Sequence, residues 1–574
     1  MKSTLYIALG QINSAVGDLE GNVKKIIDAI NIAYDNNCHV IIFPELAICG
    51  YPPEDLLLNR HFLYDCKKHL RRVCDYCDKI TAVVGFPELK NNNLYNALAI
   101  LNRCNIVKTY HKAELPNYGV FDEKRYFTQG KESPVFKIGD IPFITTICED
   151  IWIFDSSTFQ IAKRGDIKIV FNSSASPFYA GKIKLREGVI TKFAKQTKTF
   201  VCYTNLVGGQ DELVFDGGSM VVSPDGKIIA SAERFKEDIL ITEISVEPPS
   251  CNKKTKYIGL LTKTSSIYKP IQPQKARELS SNEEIYSALV LGVRDYTLKN
   301  GFERVVLGLS GGIDSSLTCC IAVDAVGKKN VIGVTMPSVY TSSETLSDSK
   351  IIAKNLGIKL MTIPIKSIFS AYLRAFKKMF KSDNFGIEAE NIQARIRGSL
   401  LMSLSNRFGW LVLTTGNKSE VSTGYCTLYG DTAGGFAVLK DVPKTIVYKL
   451  AEYVNNRAGK MLIPQSVIDR PPTAELKPNQ RDQDTLPPYP VLDTLIHAYV
   501  EEDKSFKELK ETGIDEETIK KVITMVNRSE YKRRQSPPGV KITPRAFGKD
   551  RRMPITNVYT KDEKCRKNVE RLKD

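Results

Sequence analysis

Short β-rich runs, mostly apolar or β-branched, recur through the first 245 positions, at residues 4–9, 39–43, 80–85, 97–101, 143–147, 167–171 and 199–203. Longer stretches lie between them, such as 22–35, where apolar residues return every three or four positions. Runs of five or six predict buried strands, the longer period predicts an amphipathic helix, and their alternation predicts a layered α/β domain over 1–245.

The pattern pauses over 246–281, where Pro248-Pro249, a run of lysines and Pro270-Ile271-Gln272-Pro273 read as a linker. Within it, Tyr257, Ile258, Leu260 and Leu261 offer apolar surface that can pack on a neighbour. From 282 the rhythm resumes. A helix over 284–300 leads into a buried-strand run at 304–309, a glycine-rich turn and a helix to 326. Strands at 331–336, 359–365 and 410–415, with helices between them, predict a parallel sheet with crossover helices in a second domain, 282–574. Beyond about 464 the chain is proline-rich and charged, with helical pieces at 489–501 and 516–527.

Composition narrows the class. At 574 residues, 42% hydrophobic and 25% charged, the chain is too long for one core and too apolar for disorder. No apolar run reaches the ~18 residues of a membrane span, and the apolar start lacks a small-residue cleavage site, so a cytoplasmic protein without a membrane partner is expected. Thirteen scattered cysteines fit free thiols in a reducing compartment. Cys74-Asp75-Tyr76-Cys77 has no second metal-binding pair nearby, and Cys319 and Cys320 sit in an apolar helical stretch, so burial explains all four. The net charge of +16 is dispersed, with local density only at Lys532-Arg533-Arg534 and Lys549-Asp550-Arg551-Arg552. Without interleaved aromatics on a sheet it reads as a solvated basic surface rather than a nucleic-acid site.

Three polar positions in the first domain carry chemistry. Cys148 ends an apolar strand in Ile147-Cys148-Glu149-Asp150-Ile151-Trp152, where an elbow is expected to expose its sulfur. Glu45, in Phe43-Pro44-Glu45, ends another strand, and Lys112 lies in His111-Lys112-Ala113-Glu114-Leu115-Pro116-Asn117-Tyr118. A thiol, a carboxylate and an ammonium supply nucleophile, general base and oxyanion partner for amide cleavage. These segments, in this order, resemble the nitrilase superfamily. The resemblance implies an α-β-β-α sandwich with Glu45 as base, Lys112 stabilising the tetrahedral intermediate and Cys148 forming the acyl-enzyme. The longer string from Leu115 through Gly119-Val120-Phe121-Asp122-Glu123 is similar to the glutaminase domain of glutamine-dependent NAD⁺ synthetases. That likeness places Tyr118, Ser176 and Lys182 at the glutamine pocket, where a lysine suits the α-carboxylate.

In the second domain Ser310-Gly311-Gly312-Ile313-Asp314-Ser315-Ser316 lies where a strand turns into a helix. Glycines let the backbone approach an anion, and the helix start offers free N–H groups, so this is phosphate chemistry. It lacks the lysine of a Walker loop. It resembles the pyrophosphate loop of ATP pyrophosphatases, which implies a doubly wound parallel sheet and ATP contacts from Gly308, Leu309, Ser310, Gly311, Gly312, Ile313, Asp314 and Ser315. Asn391-Ile392-Gln393-Ala394-Arg395, Thr414-Thr415-Gly416-Asn417-Lys418-Ser419-Glu420, Tyr429-Gly430-Asp431-Thr432-Ala433-Gly434-Gly435-Phe436 and Tyr531-Lys532-Arg533-Arg534-Gln535 extend the likeness to the NAD⁺ synthetase domain. By it, Thr415 contacts ATP, Asp314 and Glu420 hold Mg²⁺, and Asn391, Glu420 and Lys532 contact deamido-NAD⁺.

The resemblance implies a carbon–nitrogen ligase. Glutamine is hydrolysed, the nicotinate carboxylate of deamido-NAD⁺ is adenylated by ATP with Mg²⁺, pyrophosphate leaves, and ammonia displaces AMP. Ammonia near neutrality is mostly non-nucleophilic ammonium, so a buried path for it is expected. Small-molecule substrates, no tightly held prosthetic group, no nucleic acid and a homo-oligomer complete the expectation. Two rivals remain at this point: another amidotransferase with the same loop, making GMP, asparagine or a modified tRNA base, and an RNA-binding protein motivated by the charge. The intact Glu45, Lys112 and Cys148 set weighs against the second.

Overall fold

A computed structural model describes residues 3–247, 255–261, 271–557 and 559. The chain divides into two compact units, one ending at Leu279 and the other beginning at Ser280.

The strands of the first unit are β1 (Ser3–Gln11), β2 (Val40–Ile42), β3 (Thr81–Lys90), β4 (Asn93–Asn102), β5 (Asn105–His111), β6 (Val135–Ile138), β7 (Ile141–Ile147), β8 (Ile169–Ser174), β9 (Phe200–Asn205), β10 (Val207–Gln210), β11 (Leu213–Asp216), β12 (Met220–Val222), β13 (Ile228–Ser231), β14 (Asp238–Val246) and β15 (Tyr257–Leu260). One sheet has the order β14-β1-β2-β3-β4-β5, another the order β13-β12-β9-β8-β7-β6-β15.

Side chains alternate along each strand, and both faces are covered. Leu5, Ile7 and Leu9 of β1, Val40 and Ile42 of β2, and Leu98 and Ile100 of β4 meet Phe143, Ile169, Phe171 and Val221 between the sheets. Ala8, Ile41, Ala97 and Ala99 point the other way, onto Val23, Ile26 and Ile30 of helix Leu19–Asp35 and Leu63, Cys66 and Leu70 of helix Arg60–Cys74. The far face of the second sheet packs on Phe159 and on Ile190 and Phe193 of helix Lys182–Thr197. The layers run helix, sheet, sheet, helix, which is the expected sandwich.

The segment read as a linker is not free. Its β15 pairs in parallel with β6, and Lys275 bridges to Ser231, so its described residues as far as Leu279 belong to the first unit. Pro248, Pro249 and Pro270, on which the linker reading leaned, lie outside the described residues.

In the second unit β16 (Val305–Gly308), β17 (Val331–Thr335), β18 (Lys359–Thr362), β19 (Leu411–Thr414) and β20 (Phe436–Ala437) form a parallel sheet in the order β18-β17-β16-β19-β20. Val306, Ile332, Val334 and Val412 face Phe369 of helix Lys366–Phe380 and Ile396 and Leu401 of helix Ile387–Phe408. Helices Ser281–Lys299 and Ile313–Val326 pack together, the latter against β16 and β17. The order turns back at β16, between β17 on one side and β19 on the other, and at such a switch point a crevice opens at the carboxyl ends. A separate helical cluster around Leu492, Leu495, Val522 and Val526 follows. Among the described residues no helix is long and apolar enough to cross a membrane.

Candidate functional site

In the first unit three strand ends converge. β2 runs parallel to β3, β4 reverses, and β5 reverses again, so β2 and β5 point the same way. Glu45 follows β2 and Lys112 follows β5. Gly85 on β3 makes room for the turn that carries Glu45, since a Cβ there would lie 2.4 Å from the Leu46 nitrogen. Cys148 follows β7, in the other sheet, at a backbone φ of +41°. A non-glycine residue held in that region stores about 1–3 kcal/mol, which the surrounding structure must supply.

Glu45 and Lys112 are brought together: Lys112 Nζ donates to Glu45 Oε1 at 2.6 Å and to Glu123 Oε1 at 2.7 Å. Glu45 also accepts from Asn96 Nδ2 at 2.7 Å and from the Ala175 backbone N–H at 3.0 Å. Tyr51 donates to Glu123 at 2.9 Å. Burial works against the charge of Lys112, yet Glu123 and then Glu45 hold its ammonium well above the usual lysine range. Cys148 is only 4% exposed, so the elbow expected to expose the sulfur instead buries it against the intersheet core. Burial, and after it the charge of Glu45, push the thiol up, with Lys112 opposing. The resting nucleophile is therefore a thiol whose proton must be taken during attack.

The pocket residues are more dispersed. Tyr118 is 58% exposed, and its hydroxyl donates to both Glu149 oxygens at 3.0 Å. Ser176 is buried, its N–H bonded to Asn205 Oδ1 at 2.9 Å, one residue past the Ala175 N–H on Glu45. Lys182 Nζ donates to the Pro177 carbonyl at 2.7 Å and lies 5.2 Å over the Tyr179 ring.

In the second unit the glycine loop joins β16 to helix Ile313–Val326 at the switch point. Gly311 has φ +89°, and a Cβ on it would sit 2.2 Å from the Thr345 carbonyl oxygen. Ser310 Oγ accepts from the Gly312 N–H at 3.2 Å and lies 3.0 Å from Ser315 Oγ, which fixes the loop without consuming the N–H groups at the helix start. Gly308 and Leu309 lead into it from β16, and Ile313 starts the helix. Thr415 follows β19, the neighbouring strand.

Asp314 accepts from Asn417 Nδ2 at 2.9 Å and from Lys444 Nζ at 2.5 Å, and the same ammonium lies 3.4 Å from Glu420 Oε1. Burial pushes Glu420 up to about 8, with Asp314 adding to the rise and Lys444 opposing it. Two converging carboxylates suit Mg²⁺, which takes one or two and fills its shell with phosphate oxygens and water. Glu420, Gly416 and Thr414 line a cleft with Asp431, Lys440 and Pro537. Asn391 accepts from Thr427 Oγ1 at 2.8 Å. Lys532 donates to the Gly424 carbonyl at 2.7 Å and the Cys426 carbonyl at 2.8 Å, at the end of the short helix that carries Glu420.

Sequence reading missed Glu123, Asn96 and Lys444. Glu123 stands inside the quoted string, but only the fold shows that it reaches Lys112. Lys444 has no local signal, because its carboxylate partners lie 130 and 24 positions away.

The comparisons with known proteins agree with this division. Residues 6–248 match the family model for carbon-nitrogen hydrolase and residues 285–536 that for NAD synthase. The glutamine-dependent NAD(+) synthetase of Thermotoga maritima is 46% identical, over 97% of this chain and 99% of its own. That of Aquifex aeolicus is also 46% identical, over 97% of this chain and 100% of its own. Among solved structures, the glutamine-dependent NAD+ synthetase of Acinetobacter baumannii in complex with ADP is similar at 40% identity and a TM-score of 0.74, covering 98% of this chain and 100% of that one.

Proposed function

The chain belongs to the family of glutamine-dependent NAD(+) synthetases, and from that premise we propose which of its residues perform each half of the reaction. In the first unit Glu45 takes the Cys148 thiol proton as the sulfur attacks the glutamine side-chain carbonyl. The Lys112 ammonium stabilises the oxyanion. Glu45 returns the proton to the departing nitrogen, ammonia leaves, and a thioester remains. Water, deprotonated by Glu45, cleaves that thioester to glutamate and free thiol. Glu123 keeps Lys112 charged throughout. Tyr118, Ser176 and Lys182 bind the amino-acid end of glutamine.

In the second unit the loop from Ser310 to Ser315 cradles the ATP phosphates with the backbone N–H groups of the helix start at Ile313, Asp314 and Ser315, and Thr415 holds the nucleotide from the adjoining strand end. Asp314 and Glu420 would hold Mg²⁺, which, when bound, neutralises phosphate charge. The nicotinate carboxylate of deamido-NAD⁺, positioned by Asn391, Glu420 and Lys532, attacks the α-phosphorus, and the bond to pyrophosphate breaks. Ammonia adds to the resulting acyl adenylate, AMP departs and the amide of NAD⁺ remains. Lys444, already between the two carboxylates, supplies a further cation for the phosphates.

The observation that carries this reading is the Lys112 ammonium held between Glu45 and Glu123 beside a buried cysteine. The free cysteines among the described residues support a reducing, cytoplasmic setting. A homo-oligomer is part of the proposal, and light scattering checks it. The test of the chemistry is incubation with deamido-NAD⁺, ATP and Mg²⁺ plus glutamine or ammonium. NAD⁺, AMP and pyrophosphate are expected, and ADP with phosphate would refute the adenylation step.

A further inference from the structure

Asp150 is fully buried and stands outside the set just described. Its Oδ2 accepts from the Ile147 backbone N–H and the Tyr110 hydroxyl, each at 2.7 Å. Its Oδ1 accepts from the backbone N–H groups of Ala113 at 3.1 Å and Glu114 at 2.8 Å. Ile147 ends β7 and immediately precedes Cys148. Tyr110, Ala113 and Glu114 bracket Lys112 at the end of β5, in the other sheet. One carboxylate thus ties the nucleophile's elbow to both sides of the catalytic lysine.

We propose that Asp150 is a positioning residue for amide cleavage, a pin that sets the Lys112 ammonium against the Cys148 sulfur. The inference rests on the roles given above to those two residues. No hydrogen-bonded ladder joins β5 to β7, because they belong to different sheets, so the spacing of their ends needs a separate tie. Only an ionised carboxylate has lone pairs for four donors. Burial pushes its carboxyl up to about 6 while those donors pull it back, which leaves it ionised at neutral pH. A displacement of about 1 Å between reacting groups costs on the order of 100-fold in rate.

The test uses the full chain and compares Asp150→Asn with Asp150→Glu. Asparagine keeps the shape but can accept on one side only, so the Ile147 N–H loses its acceptor. Glutamate keeps the charge and moves the oxygens by a methylene. Both variants are expected to lower kcat for glutamine hydrolysis tenfold or more, with the glutamine KM within about threefold and ammonium-dependent synthesis unchanged. The charged groups nearest in effect on the sulfur are Glu45, Lys112, Glu149 and Glu123, and Arg186, Tyr51, Tyr118 and Tyr203 also interact with it. Withdrawal of the Lys112 ammonium should therefore move the pH curve for iodoacetamide inactivation upward, with Cys148 identified as the alkylated residue by peptide mass.

Wild-type kcat in either variant overturns the pin. So does a rise in KM with kcat retained, or a loss of ammonium-dependent synthesis in parallel with glutamine hydrolysis, which marks a merely structural role. If Cys148→Ala still hydrolyses glutamine, the underlying roles fail instead, and the two failures are told apart.

Discussion

Replacing Gly311 by alanine tests whether the glycine loop is built by close backbone approach. The new Cβ would stand 2.2 Å from the Thr345 carbonyl oxygen, where 3.0 Å is the nearest approach that real Cβ atoms make, so loop or helix must shift by at least about 0.8 Å. The backbone at Gly311 has φ +89°, a region that costs an L-residue about 1–2 kcal/mol. A shift of that size at a phosphate cradle predicts a fall of roughly 100-fold in synthesis, equal with glutamine and with ammonium. Glutamine hydrolysis assayed alone should stay near wild type, because the first unit is untouched. The thermal midpoint should drop by a few degrees, at about 2–4 °C per kcal/mol for a unit of this size. Gly312→Ala is the control: its Cβ would meet only Ser310 Oγ at 3.4 Å, and the thermal midpoint should hold. Wild-type synthesis in Gly311→Ala, or an equal loss of stability in both variants, would refute the reasoning.

Cys148→Ala should abolish glutamine-dependent synthesis and spare ammonium-dependent synthesis; equal loss with both donors would make Cys148 structural. Glu123→Gln removes one of two charges holding Lys112 and should cut glutamine hydrolysis tenfold or more at little change in KM, read in a glutamate-release assay; an unchanged kcat would leave Glu123 idle. Asp314→Asn and Lys444→Met should each lower synthesis by about 100-fold with either nitrogen donor, and survival of ammonium-dependent turnover in both would dissolve the second site. Lys532→Ala should raise the KM for deamido-NAD⁺ about tenfold, which is ~1.4 kcal/mol of charge-assisted binding, and leave the glutamine KM alone. An unchanged KM for deamido-NAD⁺ would return Lys532 to holding the Gly424 and Cys426 carbonyls.

Much of the architecture was legible because buried strands announce themselves. β1, β2 and β16 are largely apolar runs, since both of their faces are covered, and β7 and β8 are β-rich runs in which Thr145-Thr146 and Asn172-Ser173-Ser174 are also buried, so the functional residues stand out where such runs end. That is how Cys148, Glu45 and the loop after β16 were found. β14 escaped because every other residue is only partly buried, and Asp238-Ile239-Leu240-Ile241-Thr242 is too short an apolar stretch to stand apart from the turn before it. β15 escaped because it joins the edge of its sheet from inside a proline- and lysine-rich stretch. The burial of Cys148 was illegible for another reason. Strand-end position predicts an elbow, but the depth of that elbow depends on residues from two sheets that no local window contains.

The two sites share a device that explains which of their residues are hardest to see. Lys112 lies between Glu45 and Glu123, and Lys444 between Asp314 and Glu420, each buried ammonium compensated by two carboxylates from distant positions. Removing the lysine of such a group leaves two buried carboxylates uncompensated, which costs more than the pair itself contributes. The trios differ in how tightly they are closed. Lys112 makes short contacts to both partners and cannot leave without stranding two buried carboxylates, so its charge is a fixed part of the site. Lys444 is close to Asp314 but 3.4 Å from Glu420, and burial pushes Glu420 up to about 8. That rise favours the protonated form of Glu420, so a divalent cation brought with a ligand would bind there by displacing a proton. Both trios set one ammonium against two carboxylates, but the first is closed by two short contacts, whereas the second leaves Glu420 without one, which suits a site that receives a polyphosphate together with its counter-ion.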